Sequence, residues 1–114
     1  MALLKEILRE VEDGALDKKG EDVVLLDVKK LSNITDYYII ISAQNDRQIK
    51  AIRDEIEHRL KSKYSFSPKH MDGIPSSKWV VLDYTDFIVH IFDGQLRRYY
   101  ELERLWGDAK VKKV

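Results

Sequence analysis

In Trp79-Val80-Val81-Leu82-Asp83-Tyr84-Thr85-Asp86-Phe87-Ile88-Val89-His90-Ile91-Phe92, two stretches of branched and aromatic residues flank a polar tetrapeptide, Asp83 to Asp86. Such composition on either side of a turn predicts a β-hairpin. Both arms are apolar at nearly every position rather than at alternate ones, so both faces of the sheet they join are expected to be covered, most simply by helices. Four side chains stand out against that background. Asp83, Asp86 and His90 are polar groups in a buried context, and Trp79 is a large aromatic at a strand start.

Working outward, Leu3, Leu4, Ile7, Leu8, Val11 and Ala15 recur at three- and four-residue steps, the pattern of an amphipathic helix. Asp22 to Val28 and Tyr37 to Ser42 have buried-strand composition. Asn45 or Asp46 is placed to cap a second helix, whose apolar stripe is Ile49, Ile52, Ile56 and Leu60. Pro68 restricts the segment from Tyr64 to Met71 to a short edge strand, because proline donates nothing to a ladder. Beyond the hairpin, Leu96, Tyr99, Tyr100, Leu105 and Trp106 predict a last helix closed by Gly107. The order α-β-β-α-β-β-β-α predicts one α/β domain over residues 1–109, with a mixed sheet of about five strands flanked by helices. Residues 110–114 carry three lysines without a packing pattern and are expected to be a frayed basic tail.

Composition narrows the function. The chain has 114 residues, with twenty basic side chains balanced by twenty acidic ones. That balance removes the basic excess that nucleic-acid binding usually needs. There is no cysteine, so thiol nucleophiles and thiolate metal sites are excluded. No run approaches the roughly 18 apolar residues of a membrane span, and the first six residues lack a targeting pattern, which predicts a cytoplasmic protein.

Asp83 and Asp86 are the natural candidates for a metal pair, but carboxylates acting together from one strand are expected two residues apart, and these are three apart. All five glycines stand alone, so no phosphate cradle accompanies them. Aspartate is also an ordinary turn residue. His90 lies mid-strand with no ligand spacing to His58 or His70 and no serine elbow, and is expected to bond a neighbouring carboxylate. Trp79 follows a Gly/Pro/Ser loop in a stretch, Asp72 to Asp93, that holds four aspartates and one lysine. An acidic, aromatic-bearing patch predicts a basic protein partner.

The chain resembles the ribosomal silencing factor family, also called the Iojap family. The resemblance is carried by Ile34-Thr35-Asp36-Tyr37-Tyr38-Ile39-Ile40, by Trp79 to Asp83, by Asp86 to Phe92, and by Arg97-Arg98-Tyr99-Tyr100-Glu101-Leu102-Glu103-Arg104-Leu105-Trp106. It implies a fold similar to nucleotidyltransferases without their catalytic signature. It also implies a non-enzymatic repressor, without cofactor or metal, that docks on ribosomal protein L-fourteen of the large ribosomal subunit, blocks joining of the small one, and self-associates when free. On this reading Asp72, Trp79, Asp83, Tyr84, Asp86, Arg98 and Tyr100 meet the partner, while Asp36, His90 and Trp106 support them. A glycine is common in the family where this chain has Thr85. The competing reading is a metal-dependent nucleotidyltransferase using Asp83 and Asp86.

Overall fold

A computed structural model of the protein describes residues 4–31, 33–74, 76, 78–94 and 110–113. In chain order the elements are α1 (Leu4–Asp17), β1 (Glu21–Asp27), β2 (Tyr37–Ala43), α2 (Asp46–Tyr64), β3 (His70–Asp72), β4 (Trp79–Asp83), β5 (Phe87–Asp93) and β6 (Lys110–Lys113). The strands form one six-stranded sheet in the order β3-β4-β5-β2-β1-β6. β2 and β5 run parallel at its centre, and every other pairing is antiparallel.

Each element starts and stops where local chemistry allows. The Asn45 side chain accepts the Gln48 N–H at 2.9 Å, satisfying a free amide of the first turn of α2. At the other end Ser65 adopts φ 53°, and its N–H reaches the carbonyls of Leu60 and Lys61. The N–H of Phe66 bonds the Leu60 carbonyl as well, the paired arrangement that closes a helix. After α1 the chain reverses at Gly20. An added Cβ there would lie 2.9 Å from both the Ala15 carbonyl oxygen and a methyl of Ile41, so only glycine fits.

Ile49, Ile52, Ile56 and Leu60 are fully buried, as their spacing predicts. They pack with Leu8, Val11 and Ala15 of α1 on Ile39, Ile41, Val80, Leu82, Phe87, Val89 and Ile91. Each such side chain contributes about 1.5–3 kcal/mol on leaving water. The two helices are pinned together by Arg59, whose guanidinium reaches Glu10 at 2.9 Å, Asp17 at 3.1 Å and Glu55 at 2.6 Å.

The opposite sheet face holds a second buried cluster of Val24, Leu26, Val28, Tyr38, Ile40, Ile88 and Phe92. Both faces of the central strands are therefore covered, and α1 and α2 both lie on the first. The helix expected from Leu96 to Trp106 falls outside the described residues.

One expectation is corrected. Lys110–Lys113 is not frayed but forms an antiparallel edge strand on β1, with Leu25 opposite Lys112. Four residues are too few to show a periodicity, and lysines suit a strand that ends a sheet.

The β4–β5 turn carries Thr85 at φ 76°, a conformation unfavourable for a β-branched residue. Thr85→Gly is expected to raise stability by about 1 kcal/mol, read as a higher denaturant midpoint with an unchanged slope. A lower midpoint would show that the turn is not strained.

Candidate functional site

Alternation along the strands decides which side chains share the face opposite the helices. On β4 these are Trp79, Val81 and Asp83. Register places Trp79 beside Phe92, Val81 beside His90 and Asp83 beside Ile88, with Asp72 of β3 beside Val81. On the other flank Tyr38 and Ile40 of β2 lie beside Ile88 and His90. Three candidates distant in sequence, Asp72, Trp79 and Asp83, are thereby brought to one face.

An aromatic cluster occupies its middle. The Trp79 ring lies 4.9 Å from Phe92 and 6.0 Å from His90, the His90 ring stacks at 12° on Phe92, and Tyr38 lies 5.3 Å from His90. The Trp79 indole N–H donates to His90 Nδ1 at 3.1 Å. This replaces the carboxylate partner expected for His90. Burial holds the imidazole at a pKa of about 4, so at neutral pH it is uncharged, accepts at Nδ1 and carries its proton on Nε2. A neutral acceptor suits an indole donor, and the bond fixes the ring while leaving Trp79 37% exposed.

The acidic groups lie around this cluster. Asp83 accepts the Thr85 N–H at 2.8 Å, and Asp72 accepts the Gly73 N–H at 2.9 Å. Burial first, and then the charge of Asp83, push the Tyr38 hydroxyl pKa up. Asp86 is exposed beyond the turn, and its carbonyl accepts the Asp36 N–H at 3.2 Å. That bond ties the β1–β2 link to the hairpin tip. Among the described residues no group of three or more His, Asp or Glu side chains is placed to hold a metal ion.

Tyr84 is the main correction. Its place in the turn implies a side chain that meets the partner, but strand alternation carries it to the helix face, where it is 2% exposed and packs on Phe66 and Phe87 at 5.4 and 4.9 Å. Its hydroxyl is buried without a hydrogen-bond partner. Arg98, Tyr100 and Trp106 lie outside the described residues. Sequence reasoning missed Tyr38 and Phe92 as members of the aromatic cluster, because a run apolar at every position does not show which side chain faces which way. It also missed Met71 and Ile74, which are exposed in and just beyond the edge strand β3.

Two measurements probe the face and its underside. The His90 pKa is depressed below its ordinary 6.5, so the unfolded chain takes up this proton first as the pH falls. Stability from this group is complete above pH 6.5 and declines toward pH 4, by on the order of 3 kcal/mol. The stability difference between the wild type and His90→Gln should shrink over that window in urea titrations, and a pH-independent difference would refute it. Tyr84→Phe is expected to stabilise the fold by about 1 kcal/mol by removing an unpaired hydroxyl, whereas Tyr84→Ala should cost about 3–5 kcal/mol. Thermal unfolding of both variants distinguishes core from surface.

Comparison with known proteins adds a second line of observation. A family model described as "Ribosomal silencing factor during starvation" matches residues 2–114. The chain is 37% identical over 107 residues to a Bacillus subtilis protein named ribosomal silencing factor RsfS, covering 94% of this chain and 90% of that one. It is 39% identical over 107 residues to the protein of that name from Haemophilus influenzae, covering 94% and 100%. Maize chloroplastic Iojap is 34% identical over 96 residues, which cover 84% of this chain and 41% of the maize protein. A crystal structure of a Chromobacterium violaceum protein, 30% identical, superposes with a TM-score of 0.87 over 93% of this chain and 88% of that one.

Proposed function

The chain belongs to the ribosomal silencing factor family, and from that premise we propose that it represses translation by docking on the large ribosomal subunit and sterically blocking the small one. The contact proposed is with ribosomal protein L-fourteen, and no bond is made or broken. The site of action is the cytoplasm.

The observation that carries the reading is the face itself. Trp79 is held by His90 and still over a third exposed, with Asp72 and Asp83 on the same side of the sheet. A part-exposed tryptophan over a rigid base is the kind of anchor that dominates protein contacts, because little conformational freedom is lost when it is covered. Acidic groups around it favour a partner rich in lysine and arginine, and basic character is what a protein embedded in ribosomal RNA requires. Occlusion needs no further chemistry. A domain with extents of 38 × 32 × 23 Å, bound on the surface where subunits meet, excludes the second subunit by its volume.

Co-sedimentation with separated subunits, followed by a subunit-joining assay, tests this directly. Binding to the large subunit alone with suppressed joining is expected, and no binding to either subunit at physiological salt would sink the proposal. Trp79→Ala should weaken binding by about 1–3 kcal/mol with the circular dichroism spectrum unchanged. Asp72→Asn with Asp83→Asn should slow association and flatten its salt dependence. Wild-type rates in the double variant would remove the charge argument.

A further inference from the structure

The two edges of the sheet are guarded differently. β6 has three lysines in four residues, the usual device against unwanted strand pairing. β3, at the other end, is His70-Met71-Asp72, entirely exposed, and its middle residue is apolar. Met71 is 53% exposed and Ile74, just beyond, is 61% exposed. Register sets Met71 opposite Leu82, on the helix side of the sheet, and Asp72 opposite Val81, on the docking face.

Ladder geometry identifies the free backbone groups. Tyr84 donates its N–H to the Phe87 carbonyl, and Asp93 donates to the Lys78 carbonyl. Stepping by two along this antiparallel pair, Val80 and Leu82 turn their N–H and C=O toward β5, and Val81 and Asp83 turn theirs toward β3. The Asp83 carbonyl accordingly accepts the Lys69 N–H at 2.7 Å. His70 and Asp72, opposite Asp83 and Val81, are the bonded residues of β3. Met71, opposite Leu82, directs its N–H and C=O outward from the sheet.

We propose that the partner adds an extended basic segment as a further strand on the outer edge of β3, bonded to the Met71 backbone. Met71, on the face of Leu82, and Asp72, on the docking face, then flank the segment from its two sides. Asp72, on the Trp79 side, receives its cationic side chains. Main-chain pairing supplies affinity, and the flanking side chains supply specificity. The proposal rests on the docking reading above.

Proline at position 71 removes the outward N–H and leaves the bonds of His70 and Asp72 to β4 in place, the one setting in which a strand tolerates proline. Large-subunit binding is compared for Met71→Pro, Met71→Ala and Trp79→Ala, with amide exchange at Met71 followed in the wild type, free and bound. Met71→Pro should weaken binding by about tenfold and Met71→Ala by less than about threefold, since the alanine keeps its N–H. The Met71 amide should exchange at least about tenfold more slowly in the complex. A folded Met71→Pro that binds like the wild type, or an amide left unprotected in the complex, overturns strand addition. In either case lost binding by Trp79→Ala leaves the docking reading standing, whereas unchanged binding by Trp79→Ala overturns that reading itself. If Met71→Pro does not fold, amide exchange in the wild type decides. Protection that appears in the free protein with rising concentration assigns the edge to a second copy and overturns the proposal.

Discussion

A strand without a solvent side has to be sandwiched, and β5 is such a strand. Phe87, Val89 and Ile91 enter one core and Ile88 and Phe92 the other. Its parallel pairing with β2 places a second doubly buried strand beside it, and the remaining strands extend outward from that pair. Exposing either face would return several large apolar side chains to water at about 1.5–3 kcal/mol each. The helix layer is accordingly anchored as well as packed. Arg59 of α2 joins α1 through two carboxylates, Glu10 and Asp17, and is held by Glu55 of its own helix, and these partners keep the guanidinium pKa above its ordinary value.

The same constraint makes the candidate face possible. A histidine in the middle of β5 has to be accommodated in an apolar setting, and burial keeps it neutral. A neutral imidazole accepts one hydrogen bond from the strand next door, and the indole of Trp79 supplies it. Because the indole N–H is used internally, what Trp79 offers outward is its ring. A partner therefore meets an apolar, electron-rich surface rather than a donor, which agrees with the acidic surroundings in favouring apolar stems and cationic heads.

The two aspartates that first suggested metal chemistry illustrate how turns use such residues. Asp83 is engaged with the Thr85 amide, and Asp86 is beyond the reversal, tied to Asp36 through its backbone. Their spacing in sequence serves the turn, and it is the turn that brings the β1–β2 link against the hairpin.

The sequence by itself determined the elements whose signals are local. The α2 stripe with a cap at Asn45 or Asp46, the hairpin with its turn, the edge position of the segment after Pro68, and the family motifs were all legible, because three- and four-residue spacing, turn residues and proline act over a few positions. Tertiary structure alone decided register and facing. In Trp79 to Phe92 apolar residues fill both phases of the strand, so alternation leaves no trace in composition, and only pairing with β2 and β3 shows Trp79, His90 and Phe92 on one side and Tyr84 on the other. It also decided that Lys110–Lys113 closes an edge, because a strand of four residues is specified by the neighbour it pairs with and not by its own pattern.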